Sequence, residues 1–285
     1  MKTIPAYVFL LYLICVASVY SISAQPPSPT VPSVPVRDLK LEGQIERLQQ
    51  RVTADPKDFV SYNELGVLYA GKERNEDALK ALQAAMALNP NEPDVLLNLS
   101  IIYDRLGLRK EALDTVYRVL TVRPDSPLAT QEMCELYMLD ARPTDAAGCY
   151  ERLVVLVPKD PVSRARYIYA LMGAGQAKRA EQAAREGLGL FPDNADIYNA
   201  IGILRFNNRQ YKEAAASFKR ALSLDGGSTE TRFNLAFTDL WCNDRAGAAA
   251  QYGLIKQTQP ELAQQLYQFM YKNLVVSASS SKGGH

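Results

Sequence analysis

An alanine returns every 34 residues through most of this chain, at Ala78, Ala112, Ala146, Ala180, Ala214 and Ala248. Other positions keep the same beat. With Phe59 as position 1 of a 34-residue frame, position 7 is Leu65, Leu99, Met133, Tyr167, Ile201 and Leu235. Position 8 is Gly66, Ser100, Cys134, Ile168, Gly202 and Ala236, and position 24 is Leu82, Val116, Tyr150, Ala184, Phe218 and Tyr252. Position 32 is Pro90, Pro124, Pro158, Pro192 and Pro260, with Gly226 in the remaining frame. Such a period is the length of a supersecondary unit. Small residues at 8 and 20 let two antiparallel helices approach, and larger ones at 7 and 24 fill the space between them. Proline at 32 has no amide hydrogen to donate and ends the second helix. One such hairpin cannot bury its apolar face alone, so neighbours must stack. The frames 59–92, 93–126, 127–160, 161–194, 195–228 and 229–262 follow without insertion and predict six hairpins.

The ends read as caps. Leu41, Ile45, Leu48 and Val52 have helical spacing, and Pro56 falls where position 32 of a preceding frame would be, which predicts a lone covering helix over 39–58. Leu262, Leu266, Phe269, Met270 and Leu274 predict a terminal capping helix over 263–276, followed by a flexible tail over 277–285. Two departures stand out. Gly226-Gly227-Ser228 replaces one proline stop and is either a hinge or a plain turn. Position 11 holds Arg205 and Asp239 in the last two frames, where an ion pair between hairpins would fix register.

With 47% apolar and 22% charged residues the chain is globular. Its 32 basic and 31 acidic residues give no bulk signal for nucleic acid as a partner. The only histidine is His285, which weighs against serine and cysteine hydrolase mechanisms and most zinc sites. No nucleotide loop, nucleophile elbow or cysteine cluster is present, so no catalytic residue, cofactor or metal is expected. Strongly shifted carboxylates around Glu132 and Glu135 would reopen the question of catalysis. Cys15, Cys134, Cys149 and Cys242 form no CxxC pair. Cys134 and Cys149 fall at one level of one hairpin, either as a disulfide or as two buried thiols. Asn98-Leu99-Ser100 is a formal glycosylation sequon inside a predicted helix, where such a site is not used.

Lys2 precedes an uncharged run from Ile4 to Ile22 and small residues up to Ala24. Residues 1–24 read as a secretory signal, with a retained anchor as the alternative. Ile14 before Cys15 fits a lipoprotein signal poorly. Residues 25–38 are a linker, with prolines at 26, 27, 29, 32 and 35 that predict an extended spacer.

The six frames resemble the tetratricopeptide repeat (TPR) family, through the positions above and Tyr69, Tyr103 and Tyr137 at position 11. The resemblance covers 204 of 285 residues and implies an all-α, right-handed α-solenoid of six hairpins with a cap at each end. It also implies that first helices line a concave groove. Asn63, Asn98, Glu132 and Glu135 then form a polar, acidic end, with Arg166 and Asn199 beyond them. Tyr169, Phe206, Phe233, Asn234, Phe237 and Trp241 form an aromatic end, unless the terminal helix covers it. The carboxylate-clamp pattern of heat-shock co-chaperones and the asparagine ladder of O-linked GlcNAc transferase are not matched.

These features together predict a non-catalytic scaffold that takes a protein partner, as a peptide or helix, in its groove. Its place would be the periplasm or cell envelope, and its task the assembly of an exported complex. The alternatives are a membrane-anchored tether, a pilotin-like factor for secretin or pilus assembly, and self-association.

Overall fold

The computed structural model describes residues 36–280. The expected signal over 1–24, and the proline-rich residues up to Pro35, lie outside the described residues. Fourteen helices and no strand are formed among the described residues. They are α1 (Val36–Ala54), α2 (Phe59–Gly71), α3 (Asn75–Leu88), α4 (Pro93–Arg105), α5 (Arg109–Val122), α6 (Pro127–Leu139) and α7 (Pro143–Leu156). Then follow α8 (Pro161–Gly173), α9 (Ala177–Leu190), α10 (Ala195–Asn207), α11 (Tyr211–Leu224), α12 (Thr229–Trp241), α13 (Arg245–Thr258) and α14 (Pro260–Ser280). From α2 to α13 they pair into six hairpins. Two compact units divide the chain, one ending at Pro158 with α1–α7 and one from Lys159 with α8–α14.

Both terminal helices run further than expected. α1 begins at Val36, inside the expected linker, because Pro35 is the last residue there that breaks a helix. α14 continues to Ser280, into the expected tail, and the first glycines come only at 283 and 284.

Local chemistry sets the hairpin ends. Three first helices open with proline, at Pro93, Pro127 and Pro161, where a missing amide hydrogen costs nothing. Others are capped by side chains. Asp58 accepts from the Ser61 amide at 2.9 Å, and Asn194 from the Ile197 amide at 3.0 Å. The tight turn inside each hairpin needs one left-handed residue. It falls on Glu73, Gly107, Ala141, Gly175, Arg209 and Asn243, each 34 residues from the next. Glycine takes this conformation without strain, yet only two of the six turns have it.

Within a hairpin, position 8 meets position 24. A Cβ on Gly66 would come within 2.5 Å of Leu82, and one on Gly202 would enter the Phe218 ring. The sizes reverse in the fourth hairpin, where buried Ile168 has Ala184 as its counterpart. In the third hairpin these neighbouring columns are joined covalently, since Cys134 and Cys149 form a disulfide with 5.3 Å between their Cα atoms. Cys242 is a free thiol.

Between hairpins, arginines reach back along the chain. Arg118 donates to the carbonyl of Pro90, and Arg152 to that of Pro124, its exact counterpart one frame later. Arg220, in the same frame position, pairs instead with Asp193 at 2.7 Å. Tyrosine at position 11 has a similar double use. Arg74 lies over the Tyr69 ring at 4.4 Å while pairing with Asp77, and Arg142 repeats this with Tyr137 and Asp145.

Both caps bury apolar faces. Ile45 and Leu48 of α1 join Leu65, Tyr69 and Leu82 in one core cluster. Gln49 donates to the Tyr69 hydroxyl at 2.8 Å, and Lys72 pairs with Glu42. At the other end Ala263 and Leu266 of α14 close over Phe233, Ala236 and Ile255. Burying a leucine such as Leu266 contributes about 2 kcal/mol.

Candidate functional site

The first helices of the amino-terminal unit carry a polar strip. Asn63 stands on α2 and Asn98 on α4, both half-buried, and the Asn98 amide donates to the Asn63 oxygen at 3.0 Å. Asn98 thus lies in mid-helix with its side-chain amide engaged. A cavity of about 470 Å³ opens beside Asn63, with Leu48, Val67 and Leu68 as its apolar part and Arg47 and Glu64 at its rim.

Further along the strip stand three carboxylates. Glu132 and Glu135 lie on α6 and Asp104 on α4. Burial pushes Glu132 up to about 8, with the negative charges of Glu135 and Asp104 adding to the effect. Asp104 is raised as well, first by burial and then by Glu135, against the opposing pull of Arg109. Gln131 donates to Glu135 at 2.9 Å. At neutral pH Glu132 thus carries a proton, and the strip can offer both a hydrogen-bond donor and carboxylate acceptors.

The carboxy-terminal unit differs. Asn199 of α10 donates to the hydroxyl of Tyr169 on α8 at 3.0 Å, and Asn234 of α12 donates to the Asn199 oxygen at 3.2 Å. All three side chains are buried, with Asn234 only 1% exposed. They form an internal ladder through three hairpins and offer nothing to a partner. Arg166 is half-buried, and its charge opposes the rise that burial and Asp225 impose on Asp196.

Most of the expected aromatic end is also interior. Phe233 is fully buried in the cluster that α14 closes. Phe237 meets Phe269 of α14 edge-on at 5.2 Å, and Phe206 is enclosed by Tyr211, Phe237 and Trp241. The terminal helix, which the sequence left as an alternative occupant, covers Phe233 and Phe237. Trp241 alone remains open, 47% exposed, with its face stacked on Tyr211 at 5.3 Å. Tyr211 was not among the expected site residues. Its signal was there, since it is the only aromatic residue at position 17 of the frame.

The expected ion pair between Arg205 and Asp239 is not formed. Arg205 turns to its own hairpin and donates to the Ser217 hydroxyl at 2.8 Å. Asp239 is left 2% exposed, and burial pushes it up to about 6, with Asp244 adding repulsion and Lys219 opposing it. Among the described residues no group of three or more His, Cys, Asp or Glu side chains is placed to hold a metal ion. No described helix is long and apolar enough to cross a membrane.

Comparisons with known proteins agree with this architecture. Residues 69–131 and 168–229 each match a family model described as tetratricopeptide repeat. The human protein O-mannosyl-transferase TMTC1 is 26% identical over 179 residues, which is 61% of this chain and 20% of that protein. The chain thus spans about a fifth of that relative's length. A tetratricopeptide repeat protein from Parabacteroides merdae superposes with a TM-score of 0.67 at 15% identity, covering 92% of this chain and 99% of its own. PilW, a type IV pilus biogenesis factor, gives 0.63 at 15% identity over 73% of this chain and 98% of its own. YrrB, a TPR protein with an unusual peptide-binding site, gives 0.56 at 16% identity over 66% of this chain and 96% of its own. Six hairpins on a 34-residue period, two matching family models and these folds make the chain a member of the tetratricopeptide repeat family.

Proposed function

We propose that the chain is a non-catalytic scaffold that binds a peptide or helix of a protein partner along the first helices of its amino-terminal unit. The observation that carries this reading is the strip from the Asn63–Asn98 pair to Asp104, Glu132 and Glu135, which begins at an apolar cavity of about 470 Å³. An apolar anchor beside polar and charged groups is what a peptide groove needs. The carboxylates favour a partner with basic side chains at that end. YrrB, named for its peptide-binding site, lends support by its similar fold.

The partner complex is proposed to be exported or to lie in the cell envelope. The leader-like residues 1–24 support this, as does the Cys134–Cys149 disulfide, a bond rarely kept in reducing compartments. PilW, a pilus biogenesis factor, shares the fold, which keeps a role in pilus assembly as the nearest variant of this reading. If residues 4–22 are retained, the same scaffold is a membrane tether.

The test is photo-crosslinking in the native host, with the reactive group at Val67 or Gln131 on the strip and at Tyr117 on α5. Adducts to one protein from the two strip positions, absent from Tyr117, support the groove. Adducts from Tyr117 alone would sink it.

The raised Glu132 is the one observation that favours a catalytic reading, with Glu132 as proton donor beside Glu135. Burial is the first cause of that shift, so a structural origin suffices. Turnover of glycosides or esters by the wild type, abolished in Glu132→Gln, would establish catalysis instead.

A further inference from the structure

α1 and α14 are each one half of a hairpin. Continued backward, the 34-residue frame gives residues 25–58, and α1 fills its second-helix positions. α1 packs on α2 as α3 packs on α4. Continued forward, the frame starts again at Ala263, and α14 fills its first-helix positions. It packs on α13 and on α12, as α4 packs on α3 and α2. Among the described residues α1 has no first helix beside it, and α14 has no second. Residues 25–35 are unsuited to the former, since prolines at 26, 27, 29, 32 and 35 leave no run long enough for a helix.

Each edge shows the gap within its own unit. Position 10 is buried at Ile102 and Leu136 in the amino-terminal unit, and Ile102 joins Leu65, Tyr69 and Leu82 of the hairpin before it. In α2 the same position is Leu68, which is only half-buried, and Val67 beside it is exposed. Both line the cavity of about 470 Å³, whose other wall is Gln44, Arg47, Leu48 and Arg51 of α1. In the carboxy-terminal unit, positions 5 and 9 are buried at Asn199, Phe233, Ile203 and Phe237. The next first helix lies against them, since Asn234 donates to Asn199 and Phe269 meets Phe237. In α14 these positions are Tyr267 and Tyr271, 49% and 43% exposed, with their rings 4.4 Å apart. A terminal cap needs a polar outer face, and two adjoining tyrosine rings depart from it.

We propose that α14 of one copy docks in the α1–α2 cavity of a second copy, in the place of the first helix that α1 lacks. The two half-hairpins then form one whole hairpin across two chains. Tyr267 and Tyr271 bring their rings to Leu48, Val67 and Leu68, with Arg47 and Arg51 beside them. Arginine over tyrosine is a contact this chain already makes twice, from Arg74 to Tyr69 and from Arg142 to Tyr137. Tyrosine and arginine are also residues in which interfaces are rich. The frame sets one further bond. Position 6 of a first helix reaches back to position 5 of the one before, as Asn98 does to Asn63 and Asn234 to Asn199. Across copies, position 6 of α2 is the exposed Glu64 and position 5 of α14 is Tyr267, whose hydroxyl donates to the carboxylate. The contact uses a different face of each chain, so copies add head to tail. Its two edges belong to different copies, and it asks nothing of how the two units of one chain are placed.

The inference goes beyond the groove reading and does not rest on it. The mass of the purified chain alone reports the one, and crosslinks to another protein report the other. The protein, purified as the cell produces it, is measured by analytical ultracentrifugation over a concentration series, beside Val67→Asp and Tyr267→Asp/Tyr271→Asp. All three side chains are exposed, and circular dichroism controls for equal helix content. The wild type is expected to rise with concentration to the mass of at least two chains, and each variant to stay at the mass of one. An equimolar mixture of the two variants is expected to form pairs and nothing larger, because Val67→Asp keeps its α14 and the other variant keeps its cavity. Such pairs also show that both variants are folded. A wild type that stays monomeric overturns the proposal, whether its edge is open or is filled by residues of the same chain. A variant that still associates alone, or a mixture that stays monomeric or grows beyond pairs, overturns it as well.

Discussion

Asn234 donates its side-chain amide to the oxygen of Asn199 at 3.2 Å, and 136 residues earlier Asn98 stands in the same relation to Asn63 at 3.0 Å. The two bonds differ in what surrounds them. The first is buried and continues to Tyr169, while the second is half-buried at the edge of an open cavity. Asn199→Ala leaves both Asn234 and Tyr169 short of a partner in the interior, and should cost about 2–3 kcal/mol. Asn63→Ala should cost under about 1 kcal/mol, because water reaches Asn98. Chemical denaturation of the two variants, compared at equal slope, checks the ordering.

Gly202 has no room for even a methyl group, because the Phe218 ring occupies that place. Gly202→Ala is expected to destabilise by about 1–3 kcal/mol through overpacking. Gly148, in the interior of α7 with open space around it, is the control. Gly148→Ala should stabilise by about 0.5–1 kcal/mol by lowering the entropy lost on folding. Thermal melts of both variants should move in opposite directions.

Ala141 holds a left-handed turn at φ 52° where two equivalent turns have glycine. Relief of that strain is worth about 1–2 kcal/mol, offset in part by the greater freedom glycine gives the unfolded chain. Ala141→Gly should therefore raise stability by about 0.5–1 kcal/mol, whereas Gly107→Ala should lower it. Melting temperatures that moved the other way would contradict this account of the turns.

Glu132 is raised from 4.5 to about 8, so the folded chain binds a proton that the unfolded chain has released. Stability therefore falls as pH rises from about 4.5 to about 8, and the loss is complete above that range. Glu132→Gln keeps the neutral shape and should remove this slope, with its gain over wild type greatest at high pH. Denaturation midpoints measured across that window would show it. Unchanged slopes would mean that Glu132 is ionised in the folded state.

The fold was legible because its signals are local and repeated. Ala78 and its five successors, the small residues at position 8 and the prolines at position 32 each report a contact inside one hairpin or at its end. The site was less legible because its exposure depends on distant elements. Asn98 and Asn234 occupy the same frame position, yet only Asn234 is sealed in. Phe233 and Phe237 look like groove residues until α14 folds over them. Arg205 and Asp239 sit at matching positions, but Ser217 lies within reach of the arginine and settles its partner. Pairing of Cys134 with Cys149 was one of two readings, because spacing fixes their level and not their orientation.

The hairpin from Pro93 to Ser126 contains both halves of a clip, the arginine that reaches back and the proline carbonyl that receives. Arg118 serves the preceding hairpin and Pro124 is served by the following one. A tandem copy of this stretch would meet compatible neighbours on either side. Length is therefore a property that a gene for such a chain can change in whole steps by duplication or loss, without a new interface having to evolve. The reach of the polar strip, and with it the size of ligand it spans, becomes adjustable in the same increments.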